Sequence, residues 1–390
     1  MKSFRPNIWK TGLVMSTSED VLLFGVYVLF MLFKGLSIAD VSFVISVWLI
    51  VSSLGQIPAG VFADRFGFKK SMVIGSFINL LGTAIFAFSG VMLSFAIGYA
   101  LMGFGRSMIS GADNAMVYES LKKHNQEKSF KKIMGKIVWW KNIYAVFASI
   151  LGAVLYAKYS EISPFVAQVG MAGIAFFATL SLKNISVKPQ KLSPINQLRK
   201  SIKYCFGKKN FSKIFIFSGI IGSISITTFQ YLQPLYKSLL IPEVYFGVFA
   251  AVAFLLRGIG GWYSDKLGKL FSVDHYLVLH ASVFALLLIL IQRLDIITVI
   301  LAALCIMNFL RGLYAPTISN FINTKVSTEF RATALSMNSQ VLFLTSALSM
   351  LLMGKIATVY DLKTVFFAIS ILSIVFLISY VVSLKKVESE

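Results

Sequence analysis

Apolar runs of about twenty residues recur at nearly regular intervals along this chain of 390 residues, and no other feature narrows its fold so far. At about 1.5 Å of rise per residue, a helix of that length crosses the ~30 Å hydrocarbon core of a bilayer. The pattern predicts membrane helices over residues 9–34, 39–63, 70–89, 92–119, 134–158 and 163–182. After a polar break it predicts six more, over 213–238, 244–264, 275–292, 296–319, 330–354 and 363–384. Composition agrees: 57% of residues are apolar and only 14% charged, where a soluble domain carries about a quarter charged residues. A water-soluble enzyme does not fit. The expected fold class is an all-α membrane protein with twelve transmembrane helices.

A net charge of +21 suggests nucleic acid until the basic residues are placed. With the N-terminus inside, 27 of the 37 Lys and Arg fall in inner segments and six in outer ones. The remaining four, Arg106, Lys141, Arg257 and Arg311, lie within helices. Basic loops stay on the cytoplasmic side. The asymmetry therefore predicts a multi-pass protein of the cell membrane, with both termini cytoplasmic and no nucleic-acid partner. The first apolar run is too long for a signal core, is interrupted by Glu19 and Asp20, and lacks a small-x-small cleavage site. It is expected to remain as helix 1. Cys205 and Cys305 cannot make a disulfide framework, and neither has a partner at metal-ligand spacing. His124, His275 and His280 are expected near inner-side loops or helix ends, without a metal-ligand cluster. No Gly-x-x-x-x-Gly-Lys-Ser/Thr phosphate loop occurs. The expected partners are a small-molecule substrate and the lipid bilayer, for a monomer that uses a proton gradient and no cofactor.

The polar stretch 183–212 separates an N-terminal six-helix bundle, 1–182, from a C-terminal one, 213–390. Pro189 and Pro194 stiffen its start. Beyond them Ile195, Leu198, Ile202 and Phe206 recur near helical spacing, with Arg199, Lys200 and Lys203 on other faces. Two readings stay open: a segment lying on an anionic inner leaflet, or a solvated basic linker.

The second half echoes the first. Gly60-Val-Phe-Ala-Asp64-Arg65-Phe-Gly67 matches Gly261-Trp-Tyr-Ser-Asp265-Lys266-Leu-Gly268 at an offset of 201, and Met102-x-Phe104-x-Arg106 matches Met307-x-Phe309-x-Arg311 at an offset of 205. Two independent matches near half the chain length imply two bundles related by a pseudo-twofold axis along the membrane normal. A midplane cavity between such halves, opened to each side in turn, is the natural binding place.

Gly60-x-x-x-Asp64-Arg65-x-Gly67-x-Lys69-Lys70 resembles the helix 2–3 signature of the major facilitator superfamily, and the resemblance covers the whole chain. More narrowly, Gln56-Ile-Pro58-Ala-Gly60, Gly111-Ala-Asp113-Asn114-Ala, Tyr118-Glu119-Ser-Leu and Arg331-Ala-Thr-Ala-Leu-Ser336 resemble a bacterial exporter-type branch. Three departures stand out. Phe68 occupies the place of the signature's Arg, and Gln56 that of an acid in related members. Helix 5 shows Gly152-Ala-Val where many drug/proton antiporters have a Gly-Pro signature. The resemblance implies a latch at the inner gate. There Asp64 would meet the N-terminus of helix 11, expected near Ser327, whose unpaired N–H groups attract a carboxylate by about 0.3–1 kcal/mol. Glu119 resembles the acid that completes the latch with Lys69 or Arg65, and Asp265 would act likewise on helix 5. The plain alternative is that these charges anchor loops at the interface.

Charges inside the membrane are the sharper signal, each costing about 2.5–3.5 kcal/mol on insertion scales. Glu19, Asp20, Arg106, Asp113 and Arg311 form the candidate set. Glu19 and Asp20 lie halfway along helix 1, and adjacent helical residues diverge by about 100°, so one of the two is expected to face the cavity and bind a proton. The alternative is a structural ion pair with an Arg from helix 4. Arg106 and Asp113, seven residues apart on one helix face, are separated by about 10 Å along the axis and would line a cavity beside Asn114. Arg311 takes the corresponding place in the other half, either binding an anionic substrate group or neutralising an acid. Arg257 aligns with Gln56 and would belong to an inner vestibule. Lys141, after Trp139 and Trp140, is expected to snorkel to the interface. Gln230, Gln233 and Pro234 combine hydrogen-bonding groups with a kink, and Asn338 and Gln340 on helix 11 are weaker cavity candidates.

The leading expectation is a proton-coupled secondary transporter, not an enzyme, exporting a small amphipathic compound such as a drug or secreted metabolite. The competing one is an importer or uniporter of a small anionic metabolite. A transporter-like sensor or membrane-embedded enzyme is a third class, marked by binding or turnover without net movement.

Overall fold

The computed structural model describes residues 5–185, 209–294, 296–326 and 331–388. It contains helices and no strand among the described residues. The chain runs through α1 (Arg5–Thr17), a 3-10 turn (Val21–Leu23), α2 (Tyr27–Phe33), α3 (Ile38–Phe66), α4 (Phe68–Ala87), α5 (Met92–Ile109) and α6 (Ala112–Lys122). Next come α7 (Phe130–Lys158), α8 (Ser163–Leu180), α9 (Lys209–Gln230), α10 (Leu232–Ser238), α11 (Val244–Leu270) and α12 (Val273–Arg293). The last three are α13 (Ile297–Lys325), α14 (Arg331–Val359) and α15 (Leu362–Glu388). Among the described residues eleven spans are long and apolar enough to cross a bilayer; a twelfth is completed if α1, the turn and α2 count as one span bent by 44°. The amphipathic pattern from Ile195 to Phe206, and Ser327, lie outside the described residues.

Three expected helices are interrupted. The first breaks between Thr17 and Tyr27, at the acids expected halfway along it. The fourth breaks at Ser110–Gly111, where Gly111 takes a φ of +89° that other residues adopt only at a cost. The seventh breaks at Tyr231. Pro234 has no N–H to give the carbonyl of Gln230, so the break there follows from the ring. Most other helices run several residues beyond the apolar runs, because a helix satisfies its own backbone groups whether its surroundings are lipid or water.

Contacts divide the chain into two units, each taking one short segment from the other half of the sequence. The first comprises the chain up to Leu36, Val47 to the end of the described N-terminal part, and Ile241–Ala251. In it α4 and α5 touch backbone to backbone. A Cβ on Gly105 would lie 2.6 Å from the Gly75 carbonyl oxygen, and one on Gly82 would lie 2.7 Å from that of Gly98. Both glycine pairs are spaced by seven residues along their helices, so any larger side chain would force the axes apart. Toward one end Phe30 stacks on Phe165 at 3.9 Å, with Phe86 and Phe95 packed edge-on to each other beside them. Toward the other, Val14, Met72, Ile109, Met116 and Leu182 share a core.

The second unit comprises Ser37–Ser46, α9 and α10, and Val252 onward. Here a Cβ on Gly312 of α13 would lie 2.3 Å from the Arg257 carbonyl oxygen of α11, and one on Gly260 would lie 2.2 Å from that of Phe309. Ser46 Oγ donates to the Ala347 carbonyl at 3.1 Å, and Ser42 and Tyr231 share a hydrogen bond at 2.8 Å.

The units repeat one local device. α2 and α10 each have seven residues and stand 205 positions apart. Gly35 and Leu240, again 205 apart, follow them with φ of +88° and +56°.

Candidate functional site

Hydroxyl groups dismantle the first helix where the acids stand. Ser16, Thr17 and Ser18 each donate back to a carbonyl four residues earlier, at 3.0, 2.9 and 2.6 Å. Such bonds compete with the helical ladder and bend it. The carbonyls of Thr17 and Glu19 accept from Gln168 Nε2 of α8 at 3.5 and 3.1 Å, that of Glu19 also from the Val21 N–H at 2.8 Å. The Leu22 carbonyl then settles against α7 where Gly152 has no side chain; a Cβ there would lie 1.8 Å from that oxygen. Gly152, read in the sequence only as what remained of a missing signature, is what lets the break seat.

Glu19 Oε1 accepts from two cations at once. Lys141 Nζ of α7 donates to it at 2.6 Å, and Arg106 Nη2 of α5 donates to the same oxygen. Arg106 Nη1 also donates to Ser18 Oγ at 3.1 Å. The three charged side chains are each about a quarter exposed (24–26%). Two corrections follow. Lys141 does not snorkel: its ammonium turns inward, because a carboxylate within reach outweighs a longer path to the interface. The argument that helical divergence separates Glu19 from Asp20 also fails, because neither residue is in a regular helix. Asp20 Oδ1 is buried and accepts no hydrogen bond from the described residues, with Arg106 and Glu19 in electrostatic range.

Arg106 and Asp113 are not on one continuous helix, since the chain turns at Gly111 between them. Asp113 is 2% exposed and lies at the start of α6. Its Oδ1 accepts from the backbone N–H of Gly111 at 3.1 Å and of Asn114 at 2.6 Å, and from Asn114 Nδ2 at 2.9 Å. Those donors hold the carboxylate at a helix start, where N–H groups are otherwise unsatisfied. Arg106 is in electrostatic range of it.

In the second unit Arg311 sits over the Phe229 ring, 4.8 Å from its centroid, and Arg257 approaches the same ring at 5.4 Å. Arg257 also lies 5.4 Å from the Phe254 ring and donates from Nε to Asn308 Oδ1 at 3.1 Å. Gln230 ends α9 half-buried, and Gln233 is buried in α10. Asn338 is buried, accepting from Ser218 Oγ at 2.8 Å.

The motif residues occupy a different region. Asp64 and Arg65 are exposed at the end of α3, and Gly67, with a φ of +95°, forms the one-residue turn into α4. Gly60 is exposed in α3, while Lys69 and Glu119 are half-buried. Among the described residues no salt bridge joins Glu119 to Lys69 or Arg65. Asp265 is exposed on α11. Arg331 Nε donates to the Val326 carbonyl at 3.0 Å.

Sequence reasoning missed Lys141 as an ion-pair partner, and missed Gln168, Asn308 and Phe229. Asn308 carried a signal: it sits inside the repeated Met-x-Phe-x-Arg element. His280 lies within α12, away from any loop, and is fully buried. Ser225 Oγ lies 2.8 Å from its Nε2, and Tyr276, whose hydroxyl donates to the Leu310 carbonyl, lies 3.0 Å from its Nδ1. Among the described residues no group of three His, Cys, Asp or Glu is placed to hold a metal.

Comparisons add a family and a fold. The family model described as Major Facilitator Superfamily matches residues 11–339. An uncharacterised MFS-type transporter of Bacillus subtilis, YxaM, is 20% identical over 365 residues, covering 92% of this chain and 90% of its own. The crystal structure of the nucleoside transporter NupG superposes with a TM-score of 0.83 at 16% identity, covering 99% of this chain and all of that one. That of the POT family transporter PepTSo superposes with a TM-score of 0.77 at 12% identity, covering all of this chain and 99% of its own.

Proposed function

Because the chain belongs to the major facilitator superfamily of membrane transporters, we propose that it moves a small molecule by alternating access, with proton movement coupled at the break in its first helix. The supporting observation is the shared oxygen: Glu19 Oε1 takes Arg106 and Lys141 together, beside Asp20 with an oxygen that receives no hydrogen bond from the described residues. A carboxylate oxygen holding two charged donors makes strong, charge-assisted hydrogen bonds that tie their helices together. A buried acid oxygen without a donor is the one whose neutralisation relieves a desolvation cost. Asp20 is therefore assigned as the proton carrier and Glu19 as the ionic tie between α5 and α7. Protonation changes the charge beside Arg106 by one and so favours one arrangement of the broken helix over another.

Export of a small amphipathic compound is the proposed direction, supported by the exporter-like motifs around Gln56, Asp113, Glu119 and Arg331. The basic loops support a cell-membrane protein with cytoplasmic termini, which would set protons entering against cargo leaving. The Asp64, Arg65, Gly67 and Lys69 turn, with Glu119 and Asp265, is proposed as the gating element. The test is flux in proteoliposomes with an imposed pH gradient, using a radiolabelled compound found in a ligand-stabilisation screen. Asp20→Asn is expected to abolish gradient-driven accumulation while exchange of labelled for unlabelled compound persists. Unchanged accumulation in the Glu19→Gln/Asp20→Asn double variant would refute the coupling. The two arginines around Phe229 favour a second reading, import or uniport of an anionic metabolite. That reading predicts equilibration indifferent to the pH gradient and lost in Arg311→Ala.

A further inference from the structure

We propose that Asp20, with Tyr27, Trp48 and Tyr99 beside it, forms a binding site for a lipophilic organic cation, a quaternary ammonium or phosphonium group. The charges create the need for one. Arg106 is ion-paired with Glu19 and in electrostatic range of Asp20 and Asp113; Lys141 is ion-paired with Glu19 and in range of Asp113. Three carboxylates against two cations leave a negative charge in excess. Glu19 is held by its ion pairs, and Asp113 by the N–H groups of Gly111 and Asn114. The excess therefore falls on Asp20, whose buried Oδ1 accepts no hydrogen bond from the described residues. A proton or a monovalent cation would neutralise it, and each excludes the other.

The rings select the kind of cation. Tyr99 lies seven residues before Arg106 on α5, hence on the same helix face about 10 Å away. Tyr27 of α2 meets it at 6.3 Å between ring centroids and Trp48 of α3 at 6.0 Å, with planes tilted by 39° and 36°. A Cβ on Gly103 would lie 3.1 Å from the Trp48 carbonyl oxygen, so α3 and α5 approach closely enough to keep Trp48 there. Asp20 is in electrostatic range of the hydroxyls of Tyr99 and of Tyr144 on α7. Tyr27, Trp48, Tyr99 and Tyr144 are each half-buried, so the protein leaves part of each uncovered. Aromatic faces attract a cation through their negative quadrupole. A ligand with N–H groups would need the buried Asp20 oxygen to turn toward it. A charge wrapped in methyl or phenyl groups donates nothing, and is held through space and by the ring faces. The role of this cation as cargo rests on the coupled-transport reading, in which cargo and proton alternate on Asp20; the binding itself does not.

The experiment is equilibrium binding of radiolabelled tetraphenylphosphonium and benzyltrimethylammonium to the full-length protein in a neutral detergent, from mildly acidic to mildly alkaline pH. Tetraphenylborate, of the same shape as the first probe and opposite charge, is the control. At least one cation is expected to bind saturably and more weakly as the pH falls, because a proton on Asp20 removes the charge that attracts it. Asp20→Asn should raise its Kd at least tenfold and abolish the pH dependence. Tyr99→Leu should raise the Kd about tenfold, while Tyr99→Phe, which keeps the ring, should stay within about twofold. The Tyr99 pair decides the matter if Asp20→Asn does not fold. No saturable binding of either cation, equal binding of tetraphenylborate, or binding that survives both Asp20→Asn and Tyr99→Leu overturns the proposal. Cation binding that is indifferent to pH but lost in those two variants supports the site and removes the coupling reading. Gradient-driven flux lost in Asp20→Asn, without cation binding, removes the site and leaves the coupling standing.

Discussion

Lys141 reaches Glu19 from a different helix than Arg106 does, so removing its charge separates the two halves of the ionic tie. Lys141→Gln is expected to lower stability by about 1 kcal/mol, a value held down by the partial exposure of the group. It should reduce gradient-driven flux about tenfold. The Glu19→Gln/Lys141→Gln double variant should recover part of the stability, a coupling that thermal unfolding of the four proteins measures. A second residue is strained by its backbone. Leu240 is 89% exposed with a φ of +56°, where a Cβ crowds the following carbonyl. Leu240→Gly should raise stability by up to about 1 kcal/mol, read as a higher unfolding midpoint. Glu19 and Arg106 were legible in the sequence because charges stand out in apolar runs. Lys141 was misread because its tryptophan neighbours suggest an interface, and only the packing of α7 decides which way its long side chain turns.

At the level of elements, the proposed coupling site sits at a helix interruption. Gly152→Ala would press a methyl group into the Leu22 carbonyl and push the Glu19–Asp20 segment off α7. Overpacking of that kind costs about 1–3 kcal/mol or more. The variant should unfold at lower temperature and lose gradient-driven flux, while Ala153→Gly, one residue away, should affect flux far less. The spans themselves were readable because hydropathy reports what lipid will accept. The breaks were not, because a backbone hydrogen bond diverted to Ser18 or Gln168 leaves no mark on the spacing of apolar residues. Pro234 was the exception, since its ring removes a donor wherever it stands.

For the whole chain, the internal repeat was plain from two motifs, and α2 and α10 extend it to backbone conformation. Sidedness is open to direct measurement. With Cys205 and Cys305 replaced by serine, Lys123→Cys should react with a membrane-impermeant maleimide only after the cytoplasmic face is opened. Lys237→Cys should react in intact cells. Both positions are exposed, and the reverse pattern would invert the orientation that the basic loops imply. The glycine seam joining α4 to α5 carries a last implication. With main chain resting on main chain at two levels, no side-chain cushion remains for these helices to slide on, so they travel as a single strut bearing Arg106 at a fixed height. Changes of cargo during descent from a common ancestor would therefore rework the groups facing that strut and leave its thickness unaltered.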